Sequence, residues 1–213
     1  MGYFDLFNPK SAPVKKYQAG DSLTFGKYFF ENEQDLRPIE WTVLEVSGRE
    51  LLLISKYCLD RQLYCTPFGI IPEATIWENS ALRDWLNGEF YDRAFTPAEK
   101  AAIAETRIVT DETADPARHR NRVFLLSQSQ ILTLMPRTED RLGIATPYVR
   151  KQIQEPDSAG CWWWTLPSTD THSSPRWDCP SVCFGGEVHF HSRLVGSPGA
   201  HNTTVRPAIR IRK

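Results

Sequence analysis

Between Ile39 and Val46, side chains follow a period of two, and a second β-type run follows across a short break. Ile39, Trp41 and Val43 alternate with Thr42, Leu44 and Val46, and a second run, Glu50 to Tyr57, follows across Ser47 and Gly48. Successive side chains of a strand point to opposite faces, and a Gly-containing connection between two such runs suits a hairpin. The spacing therefore predicts antiparallel β structure here, with a further short strand around Phe25 to Phe29. An isolated hairpin is marginal in water, so this one needs a partner face.

The middle of the chain carries helical signals instead. Ser80 suits an N-cap, Leu82, Trp85 and Leu86 share one face, and Asn87-Gly88 reads as a left-handed stop. Arg83 falls on the other face, where truncation is expected to cost little. In Thr96-Pro97-Ala98-Glu99 a capping Thr, a first-turn Pro and a Glu three residues after the cap coincide. Residues 111–121 read as an exposed charged loop, and Val123 to Leu126 as a buried strand. Ser127 and Gln130 then open a third helix that ends at Pro136.

Past Pro136 the texture turns to Gly, Pro, Ser, Thr and Trp, with β runs at Val182 to Phe184, Val188 to Leu194 and Thr204 to Ile211. Gly185-Gly186 supplies the positive φ angles of a tight turn between the first two. Strands, then helices, then strands, without regular βαβ alternation, predict an α+β fold: a mainly antiparallel sheet with about three short helices. Residues 1–20, with Pro9, Pro13 and Gly20, read as a leader segment, and residues 21–213 as a single α+β domain. A chain of 213 residues is long enough to bury roughly two-thirds of its unfolded surface.

Charge and cysteine content narrow the function classes. Lys and Arg total 25 against 26 Asp and Glu, so no global field favours nucleic acid or an anionic membrane as partner. Met1 to Lys16 contains no uninterrupted apolar core of a secretory signal, and no later run approaches the ~20 apolar residues of a membrane span. The expected location is cytoplasmic. Five cysteines, an odd number, argue against a complete disulfide framework and for reduced, mostly buried thiols.

Several blocks together resemble one bacterial and phage family of domains of unknown function. They are Pro38 to Leu44, Leu52 to Tyr57, the long Trp77 to Phe90 block (WENSALRDWLNGEF), Val123 to Ser127, Cys161-Trp162-Trp163-Trp164 and Val205-Arg206-Pro207-Ala208. The resemblance implies a C-terminal half similar to C-type-lectin-like folds, the scaffold of formylglycine-generating enzymes and of variable phage receptor-binding proteins. Where the family continues its Trp pair as Leu-Arg-Ser-Pro-Gly, this chain has Thr165-Leu166-Pro167-Ser168-Thr169. A role of that loop is therefore not carried over.

Candidate chemistry gathers late in the chain. Glu187, His189, His191 and Arg193 alternate with Val188, Phe190, Ser192 and Leu194, so both imidazoles project from one strand face, where two His can share a metal. Cys179, Cys183 and His201 are near in sequence, but the spacing matches no closed zinc signature, so the expectation is a solvated polar face and no cofactor. Cys179 and Cys183 are separated by three residues, where aerobic formylglycine-generating enzymes have four; the resemblance makes an oxidase or metal-dependent enzyme the alternative function. Of the three tryptophans, Trp163 is expected in the core, with Trp162 and Trp164 covering loops. Trp177, beside Arg176 in a Pro/Ser-rich loop, is the better exposed candidate. Arg206 is expected to pair with a buried acid such as Glu78. The leading reading is a non-catalytic module that binds a protein or small molecule through a loop-rich surface, about residues 157–204, using Trp162, Arg176, Trp177, His189, His191 and Arg193. A structural domain of a larger assembly is the third reading.

Overall fold

The structure, a computed structural model, describes residues 16–65, 76–111, 114–153, 160–167, 178–194 and 202–213, with the backbone alone at 178–180 and 190–194. Strand β1 (Ser22–Phe29) pairs antiparallel with β2 (Leu36–Ser47), and β2 turns at Gly48 (φ +54°) into β3 (Glu50–Ser55). The expected alternation holds: Trp41 and Val43 are fully buried while Thr42 is partly exposed. The β1–β2 register shifts between Thr24 and Lys27. There Gly26 has φ +71°, and a Cβ would lie 2.6 Å from the Phe95 ring, so the bulge excludes any side chain.

After β4 (Asp60–Arg61) and a 3-10 turn at Trp77–Asn79 comes α1 (Ala81–Trp85). The Ser80 hydroxyl accepts from the Arg83 amide at 3.1 Å, the expected cap. Leu82 and Leu86 are fully buried and Trp85 packs at 5.4 Å on Phe90. Two expectations fail at this helix. Asn87-Gly88 does not stop it: a widened π-type turn over Leu86–Phe90 carries the chain into α2 (Tyr91–Ala94). The reason is tertiary, because the Asn87 amide donates to the carbonyls of Arg83 and Val123 and its oxygen accepts from the amides of Arg122 and Val123. Arg83 is not on a free face either. It is 7% exposed and donates to the Arg120 carbonyl at 3.0 Å.

Helix α3 (Pro97–Ala102) opens with the expected Thr96/Glu99 capping box and runs into β5 (Ile103–Ala104). Next come β6 (Thr106–Arg107), a 3-10 turn at Pro116–His119, β7 (Arg120–Asn121) and β8 (Val123–Phe124). The segment read as an exposed loop is thus partly interior: His119 and Asn121 are buried, and Asn121 accepts from the Trp77 indole at 3.2 Å. Helix α4 (Gln128–Leu134) has the expected Ser127/Gln130 box. Two one-turn helices, α5 (Thr138–Arg141) and α6 (Pro147–Arg150), add to the three expected.

Five strands complete the order: β9 (Trp163–Trp164), β10 (Asp178–Val182), β11 (Val188–Leu194), β12 (Thr204–Val205) and β13 (Ala208–Arg212). The run expected as one strand from Thr204 breaks at Arg206-Pro207, where Pro has no amide for a ladder. The break moves the chain between sheets. β13 lies between β3 and β5 in a sheet of order β1-β2-β3-β13-β5, with β8 also paired to β13; β12 lies in a second sheet of order β11-β10-β9-β12-β4. Among the described strands, all pairs are antiparallel except β9 with β12. This is a mixed helix-and-strand fold with mainly antiparallel pairing. Its apolar core draws on both sheets, from Tyr28, Trp41 and Leu53 to Trp163, Trp164, Val182 and Ile209.

Candidate functional site

The hairpin between β10 and β11 gathers the polar groups singled out above. Val182 faces Val188 and Ser181 faces His189; the Cys183 amide donates to the Glu187 carbonyl, and the Gly186 amide to the Cys183 carbonyl, each at 3.0 Å. Gly186 has φ +86°, and a Cβ on Gly185 would stand 2.5 Å from the Glu187 carboxylate. Glycine at 185 therefore lets that carboxylate fold back over the turn, where the buried Cys183 thiol donates to it. Burial and this bond push the Cys183 thiol up, while the same bond holds the exposed Glu187 carboxyl below its ordinary range.

Donor atoms of Cys183, Glu187 and His189 lie within 4.8 Å of one another, so these three side chains can address one ion. Aromatic rings border them. The half-buried Trp162 ring lies 5.3 Å from the exposed His189 ring and 6.2 Å from Phe184, which is 53% exposed. Two contacts from below fix the hairpin: Arg141 donates to the Gly186 carbonyl at 2.8 Å, and Gln128 to the His189 carbonyl at 3.2 Å.

Of the residues expected at the site, Trp162 and His189 come together, and Cys183 joins them. His191 and Arg193 lie on β11, and Cys179 on β10 opposite Arg193, but their side chains lie outside the described residues. Arg176, Trp177 and His201 lie outside them altogether. Trp164 does not cover a loop: it is fully buried beside Trp163, its indole donating to the Gln62 carbonyl at 2.9 Å. Phe184 and the Glu187 carboxylate belong to the cluster although the alternation of β11 does not point to them as a unit. The available signal was Gly185-Gly186, since a tight turn there brings 183 opposite 187.

A family model described as "Domain of unknown function (DUF6273)" matches residues 49–213. The chain belongs to this family. No curated protein and no solved structure matches the chain. The family's span excludes β1 and β2, hence the Pro38 to Leu44 block, and includes the hairpin site and both sheet-crossing strands. No helix among the described residues is long and apolar enough to cross a membrane.

Within the span that defines the family, Arg206 has a different role from the one expected. Glu78 does not pair with it; the Glu78 carboxylate accepts from the Thr110 amide at 2.6 Å, the Thr110 hydroxyl and the Asp111 amide. Arg206 instead donates to three carbonyls, of Ser55 at 2.9 Å, Asp140 at 3.2 Å and Leu142 at 3.4 Å. Cys58 and Cys161 lie beside it. Burial pushes the Cys58 thiol up, whereas hydrogen bonds from Cys58 and Thr204 and the Arg206 charge pull Cys161 down. The four described cysteines, Cys58, Cys65, Cys161 and Cys183, are free and buried.

Proposed function

We propose that this member of the family is a non-catalytic binding module, and that its ligand meets the aromatic patch of Trp162, Phe184 and His189 at the end of the second sheet. One observation carries the reading: Phe184 stands 53% exposed against the Trp162 ring, a large apolar face in the open beside a carboxylate and an imidazole. Aromatic rings give large contact area at little entropy loss, and neighbouring polar groups orient what lies on them. The ligand class is an extended protein segment or a small molecule with an apolar face and hydrogen-bonding groups. Arg176, Trp177, His191 and Arg193 extend the surface in this reading, on a C-type-lectin-like C-terminal half. The near-zero net charge favours neither nucleic acid nor membrane as the partner, and a cytoplasmic setting suits free thiols.

An enzyme using Cys183 as nucleophile is less well supported, because burial and the Glu187 bond keep the thiol protonated, and the thiolate is the reactive form. The test is a screen of glycan and peptide arrays with the full chain, followed by calorimetric titration of a hit. Trp162→Ala and Phe184→Ala should each weaken binding about tenfold or more, while the melting temperature of Phe184→Ala hardly moves. Arrays without a hit, or a hit that binds both variants unchanged, refute the patch and favour a structural role in an assembly.

A further inference from the structure

We propose that Cys183, Glu187 and His189 form a zinc-binding site with three protein ligands. The inference goes beyond the binding reading and shares only His189 with the aromatic patch. Sequence spacing alone argues against a metal here, because the four candidate Cys and His residues match no closed signature. The hairpin changes the ligand set. It adds a carboxylate, and places a thiol, a carboxylate and an imidazole with their donor atoms within 4.8 Å of one another.

Tetrahedral zinc with bonds of about 2.0–2.3 Å requires its donors about 3.3–3.8 Å apart. Reaching these separations takes rotations of Glu187 and His189, both exposed, because one Glu187 oxygen now stands 2.5 Å from the Cys183 sulfur and has to swing outward, while Cys183 stays where the turn holds it. Glycine at 185 leaves the space the carboxylate occupies, and the Gln128 and Arg141 bonds hold the backbone beneath two of the ligands. A mixed sulfur, nitrogen and oxygen set selects zinc over magnesium or calcium, which take oxygen ligands. On binding, the Cys183 S–H proton leaves to solvent as the sulfur–zinc bond forms. The thiolate and carboxylate then balance the two positive charges, and His189 binds as neutral imidazole. Three protein ligands leave one tetrahedral position for water or for a donor group of a bound molecule.

The test uses the full chain, reduced and stripped of metal, titrated with Co²⁺ and then with Zn²⁺. Expected is one equivalent of Co²⁺ with a thiolate-to-cobalt charge-transfer band that Zn²⁺ abolishes. Cys183→Ala should lose the band, Cys65→Ala should keep it, and His189→Ala and Glu187→Gln should each weaken Zn²⁺ binding about tenfold or more. If Cys183→Ala does not fold, the two exposed variants decide. No charge-transfer band, a band that survives Cys183→Ala, or unchanged affinity in both exposed variants overturns the site. Phe184→Ala separates the two readings, because it should weaken ligand binding about tenfold or more yet keep the cobalt band.

Discussion

The Arg206 guanidinium carbon lies 5.3 Å from the centre of the Trp163 ring, deep in the protein at the point where the chain passes from one sheet to the other. Trp163 belongs to β9 of the second sheet, and Arg206 reaches the Ser55 carbonyl at the end of β3 in the first. The C-W-W-W and V-R-P-A blocks thus meet in one contact that joins the sheets. Its partners are carbonyls and a π face, which accept a cation without a second buried charge.

Replacing Arg206 should therefore act on stability. Arg206→Ala leaves the carbonyls of Ser55, Asp140 and Leu142 without this donor, and buried unsatisfied groups cost about 1–3 kcal/mol each. We expect a loss of about 3 kcal/mol or more in urea unfolding. Arg206→Lys should recover less than half, because one ammonium cannot span the positions reached by a planar fork. Full recovery by Lys would show that charge alone matters here.

Helix α1 offers a second comparison. Leu82→Ala should cost roughly 2–5 kcal/mol through the cavity it leaves. Arg83→Ala should cost about 1–3 kcal/mol, because it strips a buried donor from the Arg120 carbonyl. A denaturant titration in which Arg83→Ala is neutral would place its side chain in solvent.

Acid stability should carry the signature of Glu99. Burial raises its pKa, but hydrogen bonds from the Thr96 amide and hydroxyl and the Gly26 amide outweigh burial and hold it below the ordinary 4.5. A carboxyl depressed in the folded state contributes stability above its unfolded pKa, and that contribution is lost as pH falls through the folded value. Unfolding free energies measured from about pH 6 down to pH 3 should fall more steeply in the wild type than in Glu99→Gln. Parallel curves would remove Glu99 from the acid limb.

We expect the chain to unfold as one cooperative unit. Leu51 to Ile54 pair with Ala208 to Ile211, so neither the N-terminal hairpin nor the last strand has its partner face alone. Calorimetry should give a single transition, and removal of residues 208–213 should abolish it altogether. Two transitions, or a folded truncation, would mean separable units.

What the sequence disclosed and what it hid divide by the range of the forces involved. Ser80, Thr96 and Ser127 cap helices as read, because a cap is settled within four residues. Asn87-Gly88 misled because the Asn87 amide bonds across to Arg122 and Val123, more than thirty residues on. Arg206 was legible as buried but not in its partners, since nothing local distinguishes a carboxylate partner from three carbonyls. At the candidate site, His189 and Trp162 were legible one by one. Glu187 became a third donor beside Cys183 only once the hairpin register was known, and Arg176 and Trp177 lie outside the described residues.

The place of β13 between β3 and β5 bears on the order in which the protein can be made. A ribosome delivers β1, β2 and β3 first, but the strand that covers β3 emerges only after all the residues between them. Until then the nascent β3 presents an open edge of Leu and Ile to its surroundings. Contacts so distant along the chain also fold slowly. Synthesis in the cell thus passes through a period in which a chaperone, or a neighbouring nascent chain, competes with the protein's own last strand.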